Sequence, residues 1–597
     1  MRNPETVLEN LRAHASQVDY KYERLYRNLY NLSFYLLAYQ QTYQKEGNMT
    51  AGIDGQTFDS MSHNRIQKII NSLKDHTYQP KPARRTYIPK KNGKLRPLGI
   101  PSSNDKLVQQ AVKVILESIY EDTFCDTSHG FRPDKSCITA LSQVKINFTG
   151  VKWFIEGDIK SYFDTVDHHL LIDILRRRIK DEYFIALIWK FLRAGYLENG
   201  ALHRPAKGLH QGSLVSPVLA NIYLNEFDRY MDAYKSSFQK GEKRKLTPEY
   251  IRIQSKEQSL RKSVQKLTVT AQGRIEKLKQ LRQLRSQRVS IPCSDPMDKS
   301  YKRLSYQRYA DDFIIGIIGD KSDAQQVKLD VSNYLTDHLK LELSEEKTLI
   351  THGKDRAKFL GYEITIGRKG TPSKDKLGKL SDRHHGRVKL YIPQAAWLNK
   401  LKETESISIK NTPHHEEVWI PRARKSLLYF PDHKIVTIYN QEIRGLYQYF
   451  KIADNASVLN RYFFIMKYSM LKTLAAKHQS SVRKIMKKYY HDGRVQVSYQ
   501  AQNKAKTVSL YEDGFKKQAI TLDKTKTTQS QELTIRLKSN RCEWCNKHPT
   551  KVSVHQVRKL STLKGDRAWE MKMIQMNRKT LILCNKCHQL LHANLLS

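Results

Sequence analysis

The chain has 597 residues and carries 104 Lys and Arg against 59 Asp and Glu, a formal net charge of +45. That length exceeds a single hydrophobic core and implies roughly three to five domains. The charge excess excludes an ordinary mixed surface and points to a polyanion, nucleic acid above all; a membrane surface competes, yet no apolar run approaches the roughly 18 residues of a spanning helix.

Residues 1–80 read as mostly helical. Between Tyr22 and Tyr43, Leu25, Tyr26, Leu29, Tyr30, Leu32 and Tyr35 recur at helical spacing, which fits a core stripe better than a base-stacking platform. Met1 to Asp19 is polar, so no targeting leader is expected. Ala51 to Gly55 (AGIDG) is a turn. Arg84 to Pro101 reads as a β-hairpin turning at Asn92-Gly93, with Lys90 and Arg96 flanking the turn. Asp105 to Thr123 is an amphipathic helix. Trp153 to Ile155 is a short apolar strand, and Asp158 lies just past it.

Residues 235–300 are strongly basic and poor in apolar residues, which suggests a projecting two-helix hairpin, either RNA-binding or a solvated spacer. Tyr306 to Gly319 (YQRYADDFIIGIIG) then places Asp311 and Asp312 between two strand-forming runs. An Asp-Asp pair alone is a common turn. Burying two adjacent carboxylates, however, costs several kcal/mol each unless a cation neutralises them, and hard oxygen ligands suit Mg²⁺. With Asp158, two neighbouring strands would supply three carboxylates, as a two-metal phosphoryl transferase requires.

These segments also resemble a known family. Tyr309 to Asp312 (YADD) resembles the catalytic box of reverse transcriptases, Gly157 to Asp164 (GDIKSYFD) their first carboxylate motif, and His210 to Asp228 the segment that packs against the incoming nucleotide. Order and spacing match as well, and over nearly the whole chain the sequence is similar to group II intron-encoded proteins. The resemblance implies an α+β right-hand polymerase: an N-terminal extension (1–80), fingers and palm (81–384), an α-helical thumb or maturase domain (385–490), a polar linker or DNA-binding region (491–535) and an HNH-like module (536–597). It implies catalytic, Mg²⁺-binding roles for Asp158, Asp311 and Asp312. Lys90 and Arg96, with Arg84 a weaker third, would grip the triphosphate. Phe163 would exclude a 2′-hydroxyl, Gln211 would contact the nucleotide, and Lys347 would protonate the leaving pyrophosphate. Phe359-Leu360-Gly361 resembles the primer grip. The implied partners are intron RNA, target DNA and deoxynucleotides, with no membrane. The chain departs from the family at His210-Gln211-Gly212-Ser213, where Pro-Gln-Gly-Gly is usual. Two other readings stay open: a reverse transcriptase of the retron or defence type, and a non-catalytic splicing factor.

From about Leu390 to Tyr490 the pattern is helical, with Leu459, Tyr462, Phe463, Met466, Met470, Leu471 and Leu474 at core spacing. No internal repeats are visible. The chain has seven cysteines; Cys125, Cys137 and Cys293 are scattered, which fits a reducing compartment, a bacterial cytoplasm or an organelle matrix. Cys542/Cys545 and Cys584/Cys587 have zinc-ribbon spacing, two thiolates from each of two tight turns. By resemblance to HNH nucleases, His555, His588 and His592 would hold a divalent ion, with Asn577 near the middle position; the alternative is a structural zinc module that only binds nucleic acid. The family usually has two consecutive His in the first strand. Here the second is Gln556, which cannot accept a proton near neutral pH, so slow or absent cleavage is expected.

Overall fold

The computed structural model describes residues 2–89, 93, 95–266, 272–291, 293, 298–367, 373–374, 380–381, 386–411, 417–501, 504–519 and 532–596. Lys90 and the Asn92 of the expected turn lie outside the described residues. At the centre is a four-stranded antiparallel sheet in the order Arg303–Tyr309, Asp312–Ile318, Trp153–Asp158, Leu349–His352. The uninterrupted apolar run after Asp312 has a direct explanation. Phe313, Ile315 and Ile317 enter one core with Ile155, while Ile314 enters a second core with Phe154 and Val151. A strand covered on both faces shows no polar alternation.

The first core takes in the N-terminal region, the long helices Ser103–Tyr120 and Ser216–Phe238, and helix Lys321–Leu339. The stripe between Tyr22 and Tyr43 is not one helix. A 3₁₀ turn, Tyr26–Tyr30, ends at Asn31, whose side chain caps helix Leu32–Thr42 by accepting from Ser33 N. Leu25, Tyr26, Leu29 and Tyr35 are buried in this core. The hairpin Ala83–Pro89/Leu95–Ile100 forms with Arg96 opposite Ile88, and it continues into the short strands Tyr196–Glu198 and Ala201–His203. In the basic insertion, helices Pro248–Gln265 and Gln272–Ser290 are joined by Arg288, which donates to Tyr250 at 2.7 Å and pairs with Glu257.

The second core holds helices Asp432–Phe450, Leu459–Lys477 and Val482–Tyr489. Here the sequence reading of 491–535 as a polar linker needs correction. Arg494–Ala501 and Lys504–Ser509 form an antiparallel hairpin. Val495, Val497, Leu510 and Phe515 are buried in the second core, and Asn440 fixes the segment by donating to Ser509 O and accepting from Tyr511 N. The polar composition belongs to the outward positions of the hairpin, while a few alternate apolar residues anchor it. Residues 520–531 lie outside the described residues.

The C-terminal module pairs Val552–Gln556 with Thr580–Cys584, followed by helix Asn585–His592. It is not tethered loosely. Val552, Val554 and Ile582, together with Leu533 and Leu537 of helix Glu532–Lys538, join the first core, while Leu581 and Leu583 face a small core of their own with Trp569 and Met573. Because Phe515 is 3% exposed, Phe515→Ala should destabilise the thumb by about 3–5 kcal/mol, read as a lowered denaturation midpoint; a linker residue would show almost no change.

Candidate active site and C-terminal metal clusters

The hairpin between Arg303–Tyr309 and Asp312–Ile318 turns through Ala310 and Asp311. Ala310 takes the left-handed conformation at φ +56°, and Tyr309 and Asp312 close the register. On the other side Asp312 lies directly opposite Asp158. The sheet therefore brings together the three carboxylates that the sequence separates by some 150 residues. Gly130 lies beneath the turn, where a Cβ would stand 2.3 Å from Ala310 N. Only glycine allows that approach.

The turn rests on a charged pair that the sequence reading missed. Arg308 and Asp228 are both fully buried. Arg308 Nε donates to Asp228 Oδ1 at 2.7 Å, and Nη2 reaches Asp228 Oδ2 and Ser128 Oγ. Tyr306 donates to the same carboxylate at 2.8 Å, and Arg308 Nη1 donates to Ala310 O at 2.8 Å. Burial works against the guanidinium charge, but Asp228 beside it more than restores it. An arginine in the strand that enters an aspartate pair was the only signal in the sequence.

Burial raises the Asp311 carboxyl above its usual range, with Asp158 adding to the effect and Lys347 and Arg96 opposing it. Asp312 is pushed up to about 7, first by burial and then by Asp311 and Asp158. Lys347 Nζ stands 2.7 Å from Asp158 Oδ2, and that hydrogen bond raises the lysine further. Lys347 thus offsets only part of the charge of the three carboxylates, and their hard oxygens fit a Mg²⁺-type cation. Asp158, Asp312, Lys347 and Phe359-Leu360-Gly361 border one cavity of about 340 Å³. Tyr449 of the thumb secures the last turn by donating to Leu360 O at 2.7 Å.

Among the described residues, Arg84, Arg96, Phe163 and Gln211 do not line that cavity. Arg96 is exposed on the finger hairpin. Arg84 donates to Ala51 O at 3.2 Å and so holds the AGIDG loop. Phe163 is half-buried, edge-on to Tyr162 and Phe131. Gln211 O accepts from Gly99 N at 2.7 Å, which joins its loop to the finger hairpin. Gly212, at φ +113°, leaves no room for a Cβ beside Gly99 O. His210, where the family has Pro, is neutral: burial, then Arg85, lowers it to about 4.

Two further clusters lie in the C-terminal module. The Sγ atoms of Cys542, Cys545, Cys584 and Cys587 are within 4.8 Å of one another. Cys545 and Cys584 are 4.0 Å apart, close to the roughly 3.8 Å edge of a tetrahedron with 2.3 Å metal–thiolate bonds. His555, His588 and His592 also converge, and with them Asp59, which no sequence motif marked. Burial opposes ionisation of Asp59, yet the His555 and His588 imidazoles hold its carboxyl well below the usual range. Asn577 stands apart, exposed, on a left-handed turn at φ +50°. Gln556 is 3% exposed: its Oε1 accepts from Tyr39 OH at 2.8 Å, and its Nε2 donates to Tyr43 O at 2.6 Å.

The raised Asp312 has a definite pH signature. A carboxyl lifted from 3.8 to about 7 keeps its proton in the folded protein across the range where the unfolded chain has lost it. The metal-free protein should therefore lose stability as pH rises from about 4 to 7. A divalent cation must displace that proton, so its apparent affinity should rise by up to about tenfold per pH unit below 7 and level off above. Isothermal titration with Mn²⁺ at stepped pH checks this; a flat profile would place Asp312 outside the ion site.

Family models match three stretches: "Reverse transcriptase (RNA-dependent DNA polymerase)" over residues 88–243 and 282–364, "Type II intron maturase" over 385–538, and "AI2M/AI1M-like, HNH endonuclease" over 542–588. The maturase match runs through the hairpin that follows the thumb helices. The group II intron-encoded protein LtrA of Lactococcus lactis subsp. cremoris is 40% identical over 606 residues, 99% of each chain. The putative COX1/OXI3 intron 1 protein of Saccharomyces cerevisiae is 33% identical, over 94% of this chain and 68% of that one. Among solved structures, the telomerase of Candida albicans overlaps 70% of this chain and 64% of its own at 12% identity and a TM-score of 0.32. No helix among the described residues is long and apolar enough to cross a membrane. The chain belongs to the group II intron-encoded proteins, reverse transcriptases and maturases with a C-terminal HNH domain.

Proposed function

We propose that the catalytic hairpin and Asp158 carry out DNA synthesis on an RNA template, extending a primer 3′-hydroxyl with deoxynucleotides and releasing pyrophosphate. The supporting observation is the convergence of Asp158, Asp311 and Asp312 with one cationic neighbour, Lys347. Two Mg²⁺ ions, when bound, would activate the attacking oxygen and offset charge on the leaving group. Asp158, Asp311 and Asp312 would hold them, the last two on a turn fixed from below. Lys347, released from Asp158, would face the departing pyrophosphate and hand it a proton. Arg96, and Lys90 across the same hairpin, would meet the triphosphate, and Gln211 would present its loop to the nucleotide. Phe163 would close the space beside the sugar.

The maturase region and the +45 charge support binding of the intron RNA through phosphates, with target DNA as the second polyanion. Zn²⁺ suits the four thiolates and would supply much of the module's folding free energy. His555, His588 and His592 would hold the nuclease ion. Both ends of the Gln556 amide are engaged with Tyr39 and Tyr43, which supports slow or absent cleavage of the second DNA strand. Neither a retron-type enzyme nor a non-catalytic splicing factor is favoured.

Asp311→Asn should lower primer extension on an RNA template by at least about 10³-fold, several kcal/mol of lost charge stabilisation, while intron RNA binding stays within twofold. Near-normal extension would remove Asp311 from the site. Phe163→Val should raise ribonucleotide incorporation relative to deoxynucleotide by about tenfold or more. An unchanged ratio in a competition assay would leave Phe163 as a packing residue only.

A further inference from the structure

The HNH module and the N-terminal segment meet along a short antiparallel contact. Ser60 N donates to Val554 O at 2.9 Å, and Val554 N donates to Met61 O at 2.8 Å. Gln556 N donates to Asp59 Oδ1 at 2.7 Å. This contact carries the Asp59 carboxylate into the middle of the three histidines. Asp59 Oδ2 stands 2.9 Å from His592 Nε2 and 3.6 Å from His588 Nε2, and Oδ1 stands 3.2 Å from His555 Nδ1.

Protons alone do not satisfy this group. His588 Nε2 and His592 Nε2 face each other at 3.1 Å, so at most one proton fits between them. His555 is 5% exposed, yet its Nε2 has no hydrogen-bond partner and its Nδ1 meets Asp59 at 3.2 Å out of hydrogen-bond geometry. A buried nitrogen left without a partner is destabilising. His588 is oriented as a metal ligand is: its Nδ1 bonds Ser553 Oγ at 2.6 Å, and its Nε2 is turned toward the cluster.

We propose that His555, His588 and His592 share their divalent ion with Asp59, so that a single four-donor centre fastens the HNH module to the N-terminal segment. This rests on the reading of the three histidines as metal ligands. Three imidazoles and one carboxylate suit a transition ion such as Zn²⁺ better than Mg²⁺. His592, with a side chain 54% exposed, borders a cleft of about 510 Å³ that gives an ion a way in. Four protein donors fill a tetrahedral ion, whereas a hydrolytic site keeps one position open for water. In this arrangement the centre is a clamp, and cutting by the module requires Asp59 to withdraw.

The test uses the full chain, stripped with a chelator and titrated with Co²⁺. At the four-cysteine site Co²⁺ gives thiolate charge-transfer absorption. At the histidine–aspartate site it gives visible d–d bands without charge transfer, so the two sites are read separately. Hydrogen exchange of residues 59–61 and 552–556 is followed with and without the ion. One Co²⁺ at each of these two sites, apart from any held by Asp158, Asp311 and Asp312, and ion-dependent protection of both segments are expected. Asp59→Asn, which keeps an oxygen for Gln556 N, should weaken the second site by at least about tenfold, abolish the ion-dependent protection and leave the thiolate bands unchanged. Retention of wild-type affinity by Asp59→Asn would overturn the proposal, the ion then belonging to the histidines alone. His592→Ala, at an exposed position, should lose the second Co²⁺. If it keeps both ions, the histidines are not the ligands, and the underlying reading fails instead.

Discussion

The buried pair of Arg308 and Asp228 is the constraint on which the cluster of Asp158, Asp311 and Asp312 depends. Three carboxylates crowded on adjacent strands repel one another, and without a bound cation nothing in their own chemistry keeps them together. Their positions are therefore imposed from beneath. Arg308 ties Asp228, Ser128 and the Ala310 carbonyl into one network. The loop before Gly130 closes on Arg308 through its backbone, His129 N donating to Arg308 O at 3.0 Å and Arg308 N to Thr127 O at 2.9 Å. Asn221 donates to Gly130 O at 2.7 Å. Removing one member of such a pair leaves a buried charge without a partner and costs about 3–5 kcal/mol. The site thus takes its geometry from a buried ion pair, and its own carboxylates remain free for ligand charge.

Much of this was legible in the sequence because the chemistry is local. YADD and GDIKSYFD place their carboxylates at strand ends, and an apolar run without alternation marks a doubly covered strand. Paired cysteines at tight-turn spacing announce a thiolate cluster. What stayed hidden depends on tertiary contact. Asp228 reads as one more acidic residue on a long helix until Arg308 meets it. Asp59 lies in a polar stretch that no periodicity distinguishes. The tail after the thumb misleads for a different reason: a hairpin held by Val495, Val497, Leu510 and Phe515 has too few apolar residues to outweigh its polar face in composition, although those four suffice to pack it.

Charge works at two scales in this molecule. The overall excess of +45 is long-range and screened by salt, suited to gathering an RNA. At the catalytic turn the sign is reversed and the distances are short. Lys347 holds Asp158 at 2.7 Å while its side chain remains 65% exposed, so it can leave at little cost when a metal arrives. Arg308, fully buried, cannot. The two cations next to the carboxylates are therefore not interchangeable: one is a fixed support and the other a mobile counterion.

The C-terminal module follows the same logic with apolar contact added. Val552, Val554 and Ile582 sit in the core of the polymerase half, so separating the module would expose them to water, about 1.5–3 kcal/mol for each side chain. Gln556 adds polar specificity, because Tyr39 OH and the Tyr43 carbonyl would be left unsatisfied by an apolar residue. The residue that departs from the nuclease pattern is thus the residue that fits the interface. The Gln556 side chain is thus engaged in docking, and the cluster of Asp59, His555, His588 and His592 lies along the same interface.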